Sequence, residues 1–201
     1  SGIGKINHLT TRYKDEFVAG EIKLSNKDLM DLIQFKSPAL NRTSMLGIAA
    51  ASEALKHSGI DLNDGMRTGL ISSTTVAGMC KTELFYKEMV DKAMHLEVLD
   101  AHDCGESTEE IADYLGVKDF VTTISTACSS AANAVMLGSR MIKQGMLDRV
   151  IVGGVDALSK FTFNGFNTLM ILDKEWCKPF DENRKGLNLG EAGAFIVIES
   201  E

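Results

Sequence analysis

Cys128 stands where a β-rich run, residues 120–125, meets a helix-forming run, residues 131–144. A nucleophile at a sharp strand-to-helix turn projects clear of the backbone. The start of a helix favours negative charge, so a thiolate is stabilised there. Free amides at the same place could hold the oxyanion of a tetrahedral thioester intermediate. Free Cys also serves as a small buried apolar side chain, so residue type and position alone leave both readings open.

The other thiols belong to Cys80, Cys104 and Cys177, and the four cysteines are spaced by 24, 24 and 49 residues. No CxxC pair occurs, so a structural zinc site is not expected. A chain large enough to bury a full core has little need of disulfides. The four histidines, His8, His57, His95 and His102, are scattered along the chain. His57 ends a helix, where positive charge is favourable. His102 lies near Cys104, but two ligands do not make a metal site. No metal and no cofactor are expected.

The elements that must position Cys128 can be read from periodicity. Residues 28–35 and 45–57 carry helical apolar spacing, and Gly59 is placed to end the second helix in a left-handed conformation. Residues 67–74 read as a strand and 82–94 as a further amphipathic helix. Ser107 and Glu110 have the spacing of a capping box, which would open a helix running to Leu115 and Gly116. After Cys128 the helix 131–144 is rich in small residues and is expected to be buried, and Gly145 closes it. Residues 149–155 and 194–199 are apolar strands, and a short strand is possible within 17–24. Alternating helices and short apolar strands favour an α/β sheet covered by helices.

Composition narrows the function classes. With 201 residues, 44% hydrophobic and 24% charged, the chain fits one globular domain rather than a disordered or fibrous protein. No apolar run approaches the roughly 20 residues of a membrane-spanning helix. A net charge of −7, from 28 acidic and 21 basic residues, argues against nucleic acid as a partner. A soluble, cytoplasmic protein with reduced thiols and no membrane partner is expected.

Three motifs then carry a resemblance. Ser125-Thr126-Ala127-Cys128-Ser129-Ser130-Ala131 leads into a small-residue helix. Val150-Ile151-Val152-Gly153-Gly154-Val155-Asp156-Ala157 follows, and then Lys178-Pro179-Phe180-Asp181 with Arg184, Gly186, Gly190 and Glu191. Together, in this order, they resemble the β-ketoacyl-acyl carrier protein synthases, condensing enzymes of the thiolase superfamily. Residues 190–194 depart from the family's Gly-Glu-Gly-Ala-Gly by reading Gly-Glu-Ala-Gly-Ala.

The resemblance implies an α/β, thiolase-like layered fold, here its N-terminal half, with helices packed on a mixed sheet. It implies one domain, 1–201, cut from a longer protein at both ends. Cys128 would be the catalytic nucleophile, acylated by a thioester, with its own amide as one oxyanion donor. Malonyl on an acyl carrier protein would be decarboxylated and its carbanion would attack the acyl group, in fatty-acid or polyketide-type synthesis. The family's two histidines and lysine belong to a C-terminal half and are absent here, so acylation without condensation is expected of residues 1–201. The expected partners are the acyl carrier protein and a second subunit, in a homodimer or related heterodimer. Lys36 and Arg42 flank the segment where the family docks its carrier. Gly153-Gly154 are expected in tight turns, and Asp181, Arg184 and Glu191 in a charged network around the site. The alternatives are a thiolase-fold acyltransferase, a non-catalytic partner subunit of a ketosynthase heterodimer, or an interaction module.

Overall fold

A computed structural model describes residues 2–200. Two short strands, β1 (Ile3–Lys5) and β2 (Val18–Gly20), pair antiparallel and lead into helix α1 (Asn26–Ile33). Ser25 caps α1 reciprocally with Asp28, the capping box that satisfies two free amides at once. Helix α2 (Arg42–Ser58) starts from an Asn41 cap and ends at Gly59, whose φ of 70° is the left-handed turn expected there.

The main sheet follows. Strands β3 (Thr68–Ser73), β4 (Phe120–Ile124), β5 (Arg149–Asp156) and β6 (Ala192–Glu199) lie in the order β4-β3-β5-β6. The first three in that order run parallel and β6 pairs antiparallel with β5, so the sheet is mixed as expected. Helices α3 (Met79–Lys92), α4 (Cys104–Leu115), α5 (Ser130–Lys143) and α6 (Lys160–Thr168) complete the fold. Strand β1 and helix α6 carry too few apolar residues in register to have been anticipated.

Two apolar layers sandwich the sheet. On one face α2 and α4 bury Leu46, Ile48 and Ile111 against Leu70 and Ile151. On the other, Ala134 and Met141 of α5 pack against Ile71, Val150 and Val152. All six residues of β3 are buried, the mark of a strand covered on both faces. Each fully buried Leu or Ile contributes about 1.5–3 kcal/mol. Helix α5 is not buried all round: Ala134 and Gly138 face the sheet, while Ala132 and Met136 are exposed.

Gly153 and Gly154 sit inside β5 rather than in turns. A Cβ on Gly154 would lie 2.3 Å from Ser73 Oγ, and one on Gly153 would lie 2.1 Å from the Ala194 carbonyl oxygen. Glycine is required there because neighbouring strands approach too closely for any side chain.

The Ser107–Glu110 spacing also plays a different part. Helix α4 begins four residues earlier, capped by Asp103 in place of Ser107, and the Asp103 carboxylate accepts the Gly105 amide at 2.7 Å. Ser107 and Glu110 are therefore interior helix positions, both buried. One Glu110 oxygen accepts a hydrogen bond from the Ser37 hydroxyl, and its other oxygen is buried without a partner. Burial pushes the Glu110 carboxyl up; the Ser37 bond pulls it down, and the nearby Glu106 and Asp113 charges add to the rise.

The folded state thus holds this proton more tightly than the unfolded chain. Stability contributed by protonated Glu110 is complete below the unfolded carboxyl value, about 4.3. It declines as pH rises from there through the raised folded value. Glu110→Gln keeps an acceptor for Ser37 and has no charge to bury, so its stability should be flatter with pH across that window. Urea unfolding of both proteins between pH 4 and 7.5 tests this; parallel pH profiles would refute it.

Candidate active site

The carboxyl ends of β3, β4 and β5 meet at one edge of the sheet, where open parallel sheets commonly place their ligands. After β4, Ser125 and Thr126 lead into a single 3-10 turn, Ala127–Ser129, and α5 starts at Ser130. Cys128 is in the middle of that turn and exposed. It thus lies ahead of α5, whose cap position is Ser129.

Local hydrogen bonds hold the turn. The Thr126 amide donates to Ser130 Oγ at 2.8 Å, and Ser130 Oγ donates to the Ala127 carbonyl at 2.7 Å. Ser129 Oγ donates to the Thr126 carbonyl at 2.8 Å, and Asn133 reaches back to Thr126 Oγ1 at 2.8 Å. These bonds keep Ala127 at a φ of 53°, left-handed for a residue with a side chain. Such a conformation costs on the order of 1–2 kcal/mol, and strain of this kind concentrates at functional sites. Among the described residues no backbone or side-chain group accepts the Cys128 amide hydrogen, so it is free to serve an incoming oxygen.

The other thiols differ. Cys80 is largely enclosed at the start of α3, and burial pushes its thiol up. Cys104 Sγ rests 3.8 Å from Ser125 Oγ, and Cys177 lies in the loop before β6 with its amide on Asn188. His102 Nδ1 meets Thr82 Oγ1 at 3.2 Å. His95 Nε2 lies 2.9 Å from Glu88 and its Nδ1 3.6 Å from Glu97. Among the described residues no group of three or more His, Cys, Asp or Glu could hold a metal ion. No helix among them is long and apolar enough to cross a membrane.

Two sequence assignments change. Arg42 is buried, with its guanidinium on Glu191 at 2.6 Å, the Ile22 and Leu24 carbonyls and Asn26, so it has no donor to offer a docking protein. Glu191 belongs to that pair and not to a network with Asp181 and Arg184. Those two are exposed, and among the described residues the Arg184 side chain bonds only the Asp181 carbonyl.

A cleft of about 750 Å³ opens beside Arg42 and Glu191, and Cys128 is not in its wall. Lys27, Lys36, Lys81 and Lys160 line it. Its carboxylates are already occupied: Glu21 takes the amides of Asn7, His8 and Leu9, and Glu83 takes those of Lys160 and Phe161. Of these lysines only Lys36 was expected beside a docking surface, because Lys27, Lys81 and Lys160 lie on α1, α3 and α6, far apart in sequence.

The family model described as "Beta-ketoacyl synthase, N-terminal domain" matches residues 1–201. The chain belongs to the β-ketoacyl synthase family. It is 29% identical over 205 residues to Nodulation protein E of Rhizobium meliloti, covering 100% of this chain and 51% of that protein. It is 28% identical over 217 residues to 3-oxoacyl-[acyl-carrier-protein] synthase 2 of Staphylococcus aureus (strain N315), with the same coverage of 100% and 51%. Among solved structures, the ishigamide ketosynthase/chain length factor superposes with a TM-score of 0.89 at 25% identity, over 100% of this chain and 51% of that one. The thiolase-like fold expected of the β-ketoacyl synthases is therefore present, and the chain spans about half the length of the curated relatives it matches.

Exposure ranks the thiols of this β-ketoacyl synthase domain. With limiting iodoacetamide, peptide mapping of the folded chain should find Cys128 labelled first, since reaction needs an accessible thiolate. Earlier labelling of Cys80, Cys104 or Cys177 would remove the case for Cys128.

Proposed function

We propose that this domain is the nucleophile-bearing part of a 3-oxoacyl-acyl carrier protein synthase, with Cys128 as the catalytic residue. The Cys128 thiolate attacks the carbonyl of an acyl thioester, and the oxyanion that forms accepts the Cys128 amide hydrogen. Collapse of that intermediate releases the donor thiol and leaves the acyl group on Cys128. A malonyl thioester then loses carbon dioxide, and its carbanion attacks the acyl-Cys128 carbonyl. The new carbon–carbon bond forms, the thioester bond to Cys128 breaks and the Cys128 thiolate leaves, joining the two units in fatty-acid or polyketide-type synthesis. The observation that carries this reading is the exposed Cys128 in a strained turn at the carboxyl edge of the sheet, with its amide unoccupied.

Incubating the chain with a short acyl thioester should add one acyl mass, and Cys128→Ala should abolish the adduct. An adduct of equal yield on Cys128→Ala would overturn the assignment.

The partner proposed is an acyl carrier protein, docked through the basic cleft on a chain that is otherwise acidic. Lys36 is exposed at its rim, while the cleft's acids are held by internal amides and by Arg42. Lys36→Glu should weaken carrier binding several-fold at low salt, where screening is least. Unchanged affinity there would remove Lys36 from the interface.

We further propose a symmetric homodimer, or a heterodimer with a related subunit, in the cytoplasm. Strand β4 is an edge strand, and an open edge of this kind favours pairing with another chain. Sedimentation of the protein at tens of micromolar should give a dimer, and a stable monomer would count against the pairing.

A further inference from the structure

The loop that follows β3, residues 74–77, lies against the Cys128 turn and is held from two sides. From β5, one carboxylate oxygen of Asp156, Oδ1, takes three hydrogen bonds. The Thr74 hydroxyl donates at 2.6 Å, the Thr75 amide at 2.9 Å and the Val76 amide at 3.2 Å. From α2, the Thr43 hydroxyl donates to the Ala77 carbonyl at 2.5 Å. Between these anchors Ala77 is kept at a φ of 44°, a second left-handed alanine in addition to Ala127 with its φ of 53°. The product of this bracing is the placement of Thr75. Its side chain is exposed, and its hydroxyl points to the Ala127 carbonyl at 3.4 Å, across 52 residues of sequence.

We infer that Asp156 is a positioning residue for Cys128, acting through the Thr75 hydroxyl on the Ala127 carbonyl. The Ala127 carbonyl belongs to the residue before Cys128, so its direction sets the orientation of the peptide whose N–H is the Cys128 amide. Ser130 donates to the same carbonyl from α5. With Thr75 present the carbonyl is held from two elements and the amide direction is fixed before substrate arrives. Without it the carbonyl is held only by Ser130 at the start of α5, and the strain at Ala127 can relax by rotating that peptide. At 3.4 Å the Thr75 contact is long for a hydroxyl donor, as bonds at unliganded sites often are before substrate tightens them. The carboxylate acts by geometry rather than by charge, because a negative charge beside a thiolate would oppose its formation.

This inference rests on the reading of Cys128 as the nucleophile and is tested by the rate of acyl transfer to Cys128, the step that uses the amide, with alkylation, which forms no oxyanion, as the control. The second-order rate of Cys128 acylation by a short acyl thioester is measured by peptide mapping in the wild-type chain and four variants, with iodoacetamide alkylation of Cys128 and thermal unfolding of each as controls expected to change little. Asp156→Asn keeps an oxygen at Oδ1 for all three donors and removes the charge, so it should be acylated at least as fast as wild type. Asp156→Ala should be slower by about fivefold, the effect of losing a hydrogen bond worth roughly 1 kcal/mol. Thr75→Val should match Asp156→Ala, and Thr75→Ser should restore the wild-type rate. Thr75 is exposed, so its variants report on Cys128 even if Asp156→Ala fails to fold. Wild-type rates in Thr75→Val, or a loss in Asp156→Asn equal to that in Asp156→Ala, would overturn the inference. If Cys128 is not the reactive thiol in the wild-type chain, the reading beneath it fails instead, and the two failures are told apart.

Discussion

The Arg42–Glu191 pair is the constraint on which the arrangement of this domain depends. Glu191 stands just before β6 and accepts from Arg42, from the Ile22 amide and from the Leu158 amide. Arg42, at the first turn of α2, donates onward to the carbonyls of Ile22 and Leu24 and to Asn26. One carboxylate and one guanidinium thereby join the segment after β2, the start of α2, the connection from β5 to α6 and the entry to β6. Burial alone would pull the Arg42 guanidinium down, and the Glu191 hydrogen bond and charge more than offset it. A buried pair of this kind adds little net stability over an apolar replacement. Removing one partner leaves a buried unpaired charge, at a cost of roughly 3–5 kcal/mol. Its consequence is therefore specificity: few other packings of these four segments could satisfy both groups.

The chemistry sits on the opposite side of the same logic. Because β3, β4 and β5 run parallel, their carboxyl ends converge, and three stretches far apart in sequence face one another. Asp156 ends β5, the braced loop follows β3 and the Cys128 turn follows β4. Rigid strands deliver the ends, while hydrogen bonds among short polar side chains set the last ångström. Thr, Ser and Asn dominate there because their side chains are short enough to bond backbone groups of the adjoining turn. The cleft beside Arg42 and Glu191 is lined by long lysines instead, a surface suited to binding charge rather than to placing atoms.

Much of this was legible in the sequence where the signal is local. Helical spacing and a terminal glycine located α2, and continuous apolar runs located β3 and β5, because such elements are specified by neighbours in sequence. The Cys128 junction was legible from a strand run meeting a small-residue helix. Polar pairing was not. Ser107 and Glu110 have the letters of a capping box, yet Asp103 caps the helix and they became interior, since spacing does not say where a helix starts. Arg42 read as a docking side chain because nothing near it in sequence mentions Glu191, its partner 149 residues away. Gly153-Gly154 read as turns, although the need for glycine came from the strands beside β5. In each case the deciding neighbour is distant in the chain and visible only once the sheet has formed.

The geometry also divides the proposed chemistry into an easier and a harder part. Transfer of an acyl group to Cys128 asks for an exposed thiol, a turn that presents it and a donor for one oxyanion, and the turn at residues 127–129 offers all three. Decarboxylating a malonyl thioester asks for more, because charge builds on an enolate oxygen some distance from the thiol and must be met by donors fixed in advance. Among the described residues no histidine bonds to Cys128 or to its turn: His102 is spent on Thr82 and His95 on two carboxylates. The strand ends place backbone and hydroxyl groups around Cys128, and these suit a tetrahedral oxyanion close to the sulfur rather than an enolate further out. In the proposed chemistry this sheet edge therefore suits acyl transfer to Cys128, and the described residues present no comparable set of donors for an enolate oxygen.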